Sequence, residues 1–301
     1  MEPRRICEGV RWVGAVDWNF RLFDSQTPPP GGTSYNAYLV WGAEKTVLID
    51  TLAPAMEAVL MNQLVSVDRV DYVISHHAEQ EHSGAIPPVL AKYSHAIVVC
   101  SVKAKGVLVD HFGIAPDRVK TVEDGELLSL GGGKTLRFVY TPWFHWPEAM
   151  VTNLVEDRIL FACDFFASHI ATAGPYAVND PYAHEAAKRY YAEIMMPYHK
   201  TMQSNLTKIK ALDFDFIAPS HGPIYYRATM AFKKFEIAPS RDSKIPFAAT
   251  CEVRGNALGA MAGEPVVARI ETDERRQSHA PRELPTTPIR LPSSLTRAFP
   301  R

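Results

Sequence analysis

Read for the spacing of its apolar positions, the chain alternates short strand-like runs with helical stretches from about residue 12 to residue 235. Residues 10–17, 35–40 and 46–50 are apolar at every second position or throughout, the pattern of half-buried and fully buried strands. Gly31-Gly32 punctuates the loop between the first two. Residues 55–65 have helix-forming composition, 70–75 read as a short buried strand, and Ser83-Gly84-Ala85 opens a helix through Tyr93. Further strands fall at 96–100, 136–140, 150–156, 159–163 and 216–219, while 184–196 and 199–212 carry the apolar stripe of amphipathic helices. Strand pairs followed by helices, in two successive halves, predict an α/β protein: an αββα sandwich of two facing sheets with helices outside.

The periodicity stops near residue 240. Residues 251–301 hold eight arginines and no lysine, whereas all thirteen lysines precede residue 245. From Arg275 onward five prolines are scattered among Ser and Thr, a composition that buries too little apolar surface to offset its ordering entropy. Residues 275–301 therefore read as a disordered or loosely docked tail, with a basic interaction arm as the other reading. A net charge of −1 gives no bulk electrostatic case for nucleic acid or an anionic membrane. No apolar run reaches the roughly 18 residues of a spanning helix, and the N-terminus lacks a signal-peptide core. The four cysteines, Cys7, Cys100, Cys163 and Cys251, are widely separated, which fits a reducing cytoplasm rather than a disulfide framework. Cys163, in an apolar run, reads as a small buried hydrophobe.

Ionisable residues collect where the apolar strands end. The loop from Ser75 to Gly84 follows a buried strand and contains His77, Glu79, Glu81 and His82, donors enough for two adjacent ions. His145 stands among aromatics after the strand ending at Tyr140, Asp164 ends the run 159–164, and His221 follows the run 216–219. Such a group is costly at the end of a buried strand unless it is paired, hydrogen-bonded or metal-bound. Several such events with ligand-type side chains make a two-metal site the leading reading. Among the other histidines, His76 reads as a loop residue and His95, His111, His184, His199 and His279 as surface groups.

These motifs resemble the diiron core of the flavodiiron proteins, a branch of the metallo-β-lactamase superfamily. The resemblance covers residues 11–227: Trp12-Val13-Gly14-Ala15-Val16-Asp17-Trp18, Thr33-Ser34-Tyr35-Asn36-Ala37-Tyr38-Leu39-Val40, Val47-Leu48-Ile49-Asp50-Thr51, the H-x-E-x-[DE]-H loop, His145-Trp146-Pro147 and Arg189-Tyr190-Tyr191. The ligand order agrees, with 62 residues between His82 and His145, 18 between His145 and Asp164, and 56 between Asp164 and His221. The resemblance implies an αββα sandwich of the metallo-β-lactamase type. It also implies one iron on His77, Glu79 and His145, a second on Glu81, His82 and His221, and Asp164 bridging them. Glu79 replaces a histidine of the hydrolytic H-x-H-x-D-H pattern, and its hard oxygen moves preference from zinc toward iron or manganese. Glu81 stands where the family usually has Asp; its extra methylene needs a loop shift or a changed coordination mode, which leaves a mononuclear or mixed-metal site open. His169 resembles a residue near the diiron site, so a place behind the ligands and a structural role are both open. Tyr190 and Tyr191 either pack in the core or reach the pocket, and Trp143, Phe144 and Trp146 would wall it against water.

Family members continue into a flavodoxin-like domain that binds FMN, and they pair head to tail as homodimers. Such a domain needs more than about 100 residues, and about sixty follow residue 240. Residues 245–257 faintly resemble its first strand and phosphate loop without the hydroxyl residues that bond phosphate. The expected organisation is thus a diiron domain over 1–240, a possible flavodoxin-like remnant over 241–274 and the tail over 275–301. FMN is not expected to bind within this chain. Reduction of two NO to N2O takes the two electrons a diferrous site holds, and reduction of O2 to water takes four. The expected function is O2 or NO reduction fed by a separate flavodoxin-, rubredoxin- or flavin reductase-like donor. A diiron O2/NO sensor and a metal-dependent hydrolase are the alternatives.

Overall fold

The computed structural model describes residues 3–23, 28–176 and 181–226. Six strands come first: β1 (Arg4–Cys7), β2 (Val10–Trp12), β3 (Ala15–Asp17), β4 (Thr33–Tyr35), β5 (Tyr38–Trp41) and β6 (Thr46–Ile49). A 3-10 turn at Pro54–Met56 leads into α1 (Glu57–Gln63), followed by β7 (Tyr72–Ser75), α2 (Gln80–Ser83), α3 (Ile86–Lys92), β8 (Ile97–Ser101), α4 (Ala104–Phe112) and β9 (Val119–Val122). The second half comprises β10 (Leu127–Gly131), β11 (Lys134–Tyr140), β12 (Met150–Leu154), β13 (Ile159–Cys163), α5 (Pro181–Tyr190), α6 (His199–Lys210), β14 (Phe216–Pro219) and β15 (Tyr225–Tyr226).

One sheet runs β1-β2-β5-β6-β7-β8-β9 and the other β10-β11-β12-β13-β14-β15, with β3 and β4 forming a small third sheet. From β6 to β9 the pairing is parallel, and so is β13 with β14; the flanking pairs are antiparallel. Alternation along the strands produces the layers. Val47, Ile49, Ile74 and Val99 point between the sheets and meet Phe138, Leu154, Ile159 and Phe161 there. Their neighbours Leu48, Val73 and Val98 point the other way, under Leu60, Leu64, Ile86 and Leu108 of the first helical layer. On the far side Val151, Leu160 and Ile217 pack with Tyr191, Met202, Leu206 and Ile209 of the second helical layer. The αββα sandwich is thereby established.

The expected strand over 10–17 is broken into β2 and β3. A Cβ on Gly14 would run into the Tyr35 carbonyl and lie 2.6 Å from the Trp12 ring, so the backbone passes there unobstructed to change sheets. The expected helix over 184–196 ends as an α-helix at Tyr190, widens into a π segment at Tyr191–Met195 and tightens into a 3-10 turn at Met196–Tyr198. Pro197, with no backbone N–H and a ring that crowds the preceding turn, cannot sit inside an α-helix. No helix among the described residues is long and apolar enough to cross a membrane. The segments 241–274 and 275–301 lie outside the described residues, as does His279.

Candidate metal centre

The parallel strands of both sheets end at one crevice, the place where open α/β sheets usually bind ligands. β7 delivers the loop of His76 to Glu79 and the one-turn helix α2, which carries Glu81 and His82. β13 ends in Cys163, whose backbone turns left-handed (φ 48°) to present Asp164. β14 ends at Pro219, and His221 follows. Gly222, at φ 78°, would crowd Ser168 with any Cβ, so only glycine fits after His221. His145 comes from the loop between β11 and β12.

The structure brings these donors into two adjoining sets. His77, Glu79 and His145 form one, and Glu81, His82, Asp164 and His221 the other, with ligand atoms of each set within 4.8 Å of one another. Asp164 touches both: its Oδ2 lies 3.2 Å from His82 Nε2 and 3.4 Å from His145 Nε2, and its Oδ1 lies 3.6 Å from His221 Nε2. Glu81 Oε1 is 3.2 Å from His221 Nε2 and 3.4 Å from His82 Nε2, so the longer side chain still reaches the inner set. Donors bound at about 2.0–2.2 Å to one ion stand roughly 3.0–3.5 Å apart, which matches these separations. Glu81 Oε1, His82 Nε2, Asp164 Oδ2 and His221 Nε2 are buried without a hydrogen-bond partner. Orphaned atoms of this kind, converging on one point, fit a bound cation.

Burial disfavours charge on Glu81, Asp164, His82 and His221, yet attraction between these carboxylates and imidazoles outweighs it. Glu81 and Asp164 are held well below the usual carboxylate range, and His82 and His221 are raised. Against burial, hydrogen bonds to Glu148 and Glu79 raise His77 to about 9, and bonds to His145 and His77 lower Glu79 to about 2. With the four imidazoles in the neutral form that metal ligation requires, Glu79, Glu81, Asp164 and Glu148 carry a charge of −4, the charge that two divalent cations cancel.

Several neighbours escape a reading of the sequence. Glu148 Oε1 lies 2.7 Å from His77 Nδ1 and accepts the Ala78 N–H at 3.2 Å. Ser220 Oγ donates to Asp164 Oδ1, and the Ser34 carbonyl accepts from His221 Nδ1 at 2.7 Å. His76 is fully buried: Nδ1 lies 2.7 Å from Asp50 Oδ2, and Nε2 lies 2.7 Å from Thr152 Oγ1. It is a clasp between the sheets, not simply a loop residue. His169 Nδ1 meets Thr33 Oγ1 at 2.9 Å, its Nε2 has no partner, and its ring packs 4.9 Å from His221 and 5.0 Å from Tyr190. Tyr190 thus faces the site, while Tyr191 lies in the helical-side core with its hydroxyl unpartnered. Of the three expected apolar walls, Phe144 is buried and stacks on Phe165 at 4.0 Å. Trp143 and Trp146 are half exposed, because left-handed backbone at Trp143 (φ 55°) turns this loop outward; the Trp146 ring still lies 5.2 Å from His77. Cys163 is buried as expected, and burial pushes its thiol well up.

Two facing sheets with histidines and carboxylates gathered at the strand ends of both define a protein of the β-lactamase fold with a candidate two-metal site. The chain belongs to the ODP family of β-lactamases, matching the family model over residues 33–222. It is 35% identical over 233 residues to the flavo-diiron protein FprA2 of Clostridium acetobutylicum, covering 75% of this chain and 58% of that one. It is 34% identical over 232 residues to the nitric oxide reductase of Moorella thermoacetica, covering 74% and 58%. The solved rubredoxin oxygen:oxidoreductase of Desulfovibrio gigas superimposes with a TM-score of 0.70 at 33% identity, covering 74% of this chain and 57% of that chain. The flavodiiron resemblance drawn from the motifs therefore holds. The chain spans 57–58% of the length of these relatives.

Proposed function

We propose that this chain is the non-haem diiron core of an oxidoreductase that reduces NO, O2 or both with electrons from a separate redox protein. The observation that carries this reading is Asp164, one buried carboxylate in contact with both donor sets. His77, Glu79 and His145 would hold one iron, Glu81, His82 and His221 the second, and Asp164 would join them. When bound, two ferrous ions supply two electrons to the gas. That suffices for 2 NO + 2 H+ + 2 e− → N2O + H2O, whereas O2 + 4 H+ + 4 e− → 2 H2O needs two more from the donor. The names of the relatives, nitric oxide reductase and rubredoxin oxygen:oxidoreductase, support both gases and a rubredoxin-like donor.

The chain's own residues set the conditions. Glu148 and the Ser34 carbonyl accept from the Nδ1–H of His77 and His221, so each presents Nε2 as the donor atom. Glu79 adds a hard oxygen that suits iron above zinc. Burial, with His221 beside it, drives His169 down to about 3, so it stays a neutral imidazole over the working range. Phe144, stacked on Phe165, also packs its ring 6.0 Å from that of His145, which places an apolar group beside this donor.

Anaerobic purification with metal and flavin analysis, followed by ferrous loading and addition of NO or O2 with an external reductase, tests the reading. Two irons per chain and N2O or water formation are expected. Tight zinc with ester, thioester or lactam cleavage would overturn it, and a long-lived gas adduct without turnover would make the protein a sensor.

A further inference from the structure

His77 of one donor set and His221 of the other differ in what stands behind them, while His145 Nδ1 is buried without a partner. His77 and His221 both turn Nε2 toward the crevice and Nδ1 away from it. Behind His221 is a neutral acceptor, the Ser34 carbonyl. Behind His77 is a carboxylate: Glu148 Oε1 lies 2.7 Å from Nδ1, with each side chain only 1% exposed. Glu148 is also anchored through its backbone, since its carbonyl accepts from Ser101 Oγ at 2.7 Å. Its second oxygen, Oε2, is buried without a partner. A half-satisfied buried carboxylate destabilises a fold, so packing alone does not account for Glu148.

Building on the diiron reading, we propose that Glu148 is a positioning residue that makes the two irons unequal. It fixes the Nδ1–H tautomer of His77 and, by drawing on that proton, increases electron density at Nε2. An iron held by His77, Glu79 and His145 would therefore be stabilised in its ferric form and would be the first of the two to be oxidised. The Ser34 carbonyl orients His221 without adding charge, so the second iron lacks this bias. Partners of this type tune both the affinity and the potential of the ion they back.

The test compares the full chain with Glu148→Gln, which keeps the shape and an acceptor oxygen but removes the charge, and with Glu148→Asp, which keeps the charge. Each is loaded anaerobically with ferrous iron; iron affinity is measured per site, and the two oxidation steps are followed by potentiometry with Mössbauer and EPR spectroscopy. In Glu148→Gln one iron should bind about 10–100-fold more weakly. The first oxidation step should move to higher potential while the second stays put, and Glu148→Asp should recover part of the shift. Equal weakening of both irons, potentials that move together, or a Glu148→Gln protein matching the parent would each overturn the assignment. A parent chain that fails to bind two irons would overturn the diiron reading itself. A diiron parent with an indifferent Glu148→Gln variant would overturn only the role of Glu148.

Discussion

Asp164 is the residue on which the two donor sets jointly depend, because its two oxygens face histidines of both. Asp164→Ala should take bound iron from two per chain to nearly none, whereas His145→Ala should leave close to one, as measured by elemental analysis after anaerobic loading. His145 contributes only to the more open set, where it is 11% and Glu79 18% exposed. Cys100 makes a prediction of another kind. Burial pushes its thiol up to about 12, with Lys105 pulling weakly the other way. At pH 8 the thiolate is then about one part in ten thousand, so peptide mapping should find Cys100 unalkylated in the native protein. Labelling should rise with pH toward that value or on unfolding. At this scale the sequence was informative where a donor ends a buried strand, as Asp164 and His221 do. Glu148 was not legible, since a carboxylate beside Pro147 has the composition of a solvated loop and only the tertiary fold brings His77 onto it.

Among the elements, the loop after β7 is tied to both sheets through His76. Asp50, at the left-handed end of β6 (φ 54°), bonds both its backbone N–H and its ring, while Thr152 on β12 meets the other ring nitrogen. His76→Ala should destabilise the protein by about 1–3 kcal/mol for each polar group it leaves unpaired. The readout is the urea midpoint of the metal-free protein, which isolates the clasp from the ions. Thr152→Val, which orphans one ring nitrogen, should cost less than His76→Ala. Strands with unbroken apolar runs, such as β7 and β13, were readable because nothing but burial explains them. α4 was not: Gly106 at its centre and the β-branched Val107 and Val109 depress helix propensity. Packing of Ala104 and Leu108 into the first helical-side core decides the matter instead, and Gly113 closes the helix at φ 64°. β1 and β9, four-residue strands at the two edges of the first sheet, have burial patterns too short and too mixed to announce themselves.

For the whole molecule, the crevice joins the sheets through charge as well as through the apolar layer between them. Each ion that binds only the folded form stabilises it by about 4 kcal/mol at a thousand times its Kd. Chelation should therefore lower Tm by roughly 8–16 °C for each ion removed, at about 2–4 °C per kcal/mol. Calorimetry at two iron concentrations checks this, because the shift must grow with free iron. The sandwich itself was readable from the succession of elements in two halves, whereas which strands lie edge to edge depends on pairings the one-dimensional pattern does not carry. That division into halves also bears on how the protein acquires its metal during synthesis. His77, Glu79, Glu81 and His82 leave the ribosome together, but His221 follows 139 positions later than His82. At roughly 5–20 residues per second that is an interval of about 7–28 s. Glu79 is in place from the start, but neither donor set is complete until His145, Asp164 and His221 arrive on the second sheet, so a two-ion site can close only late in synthesis.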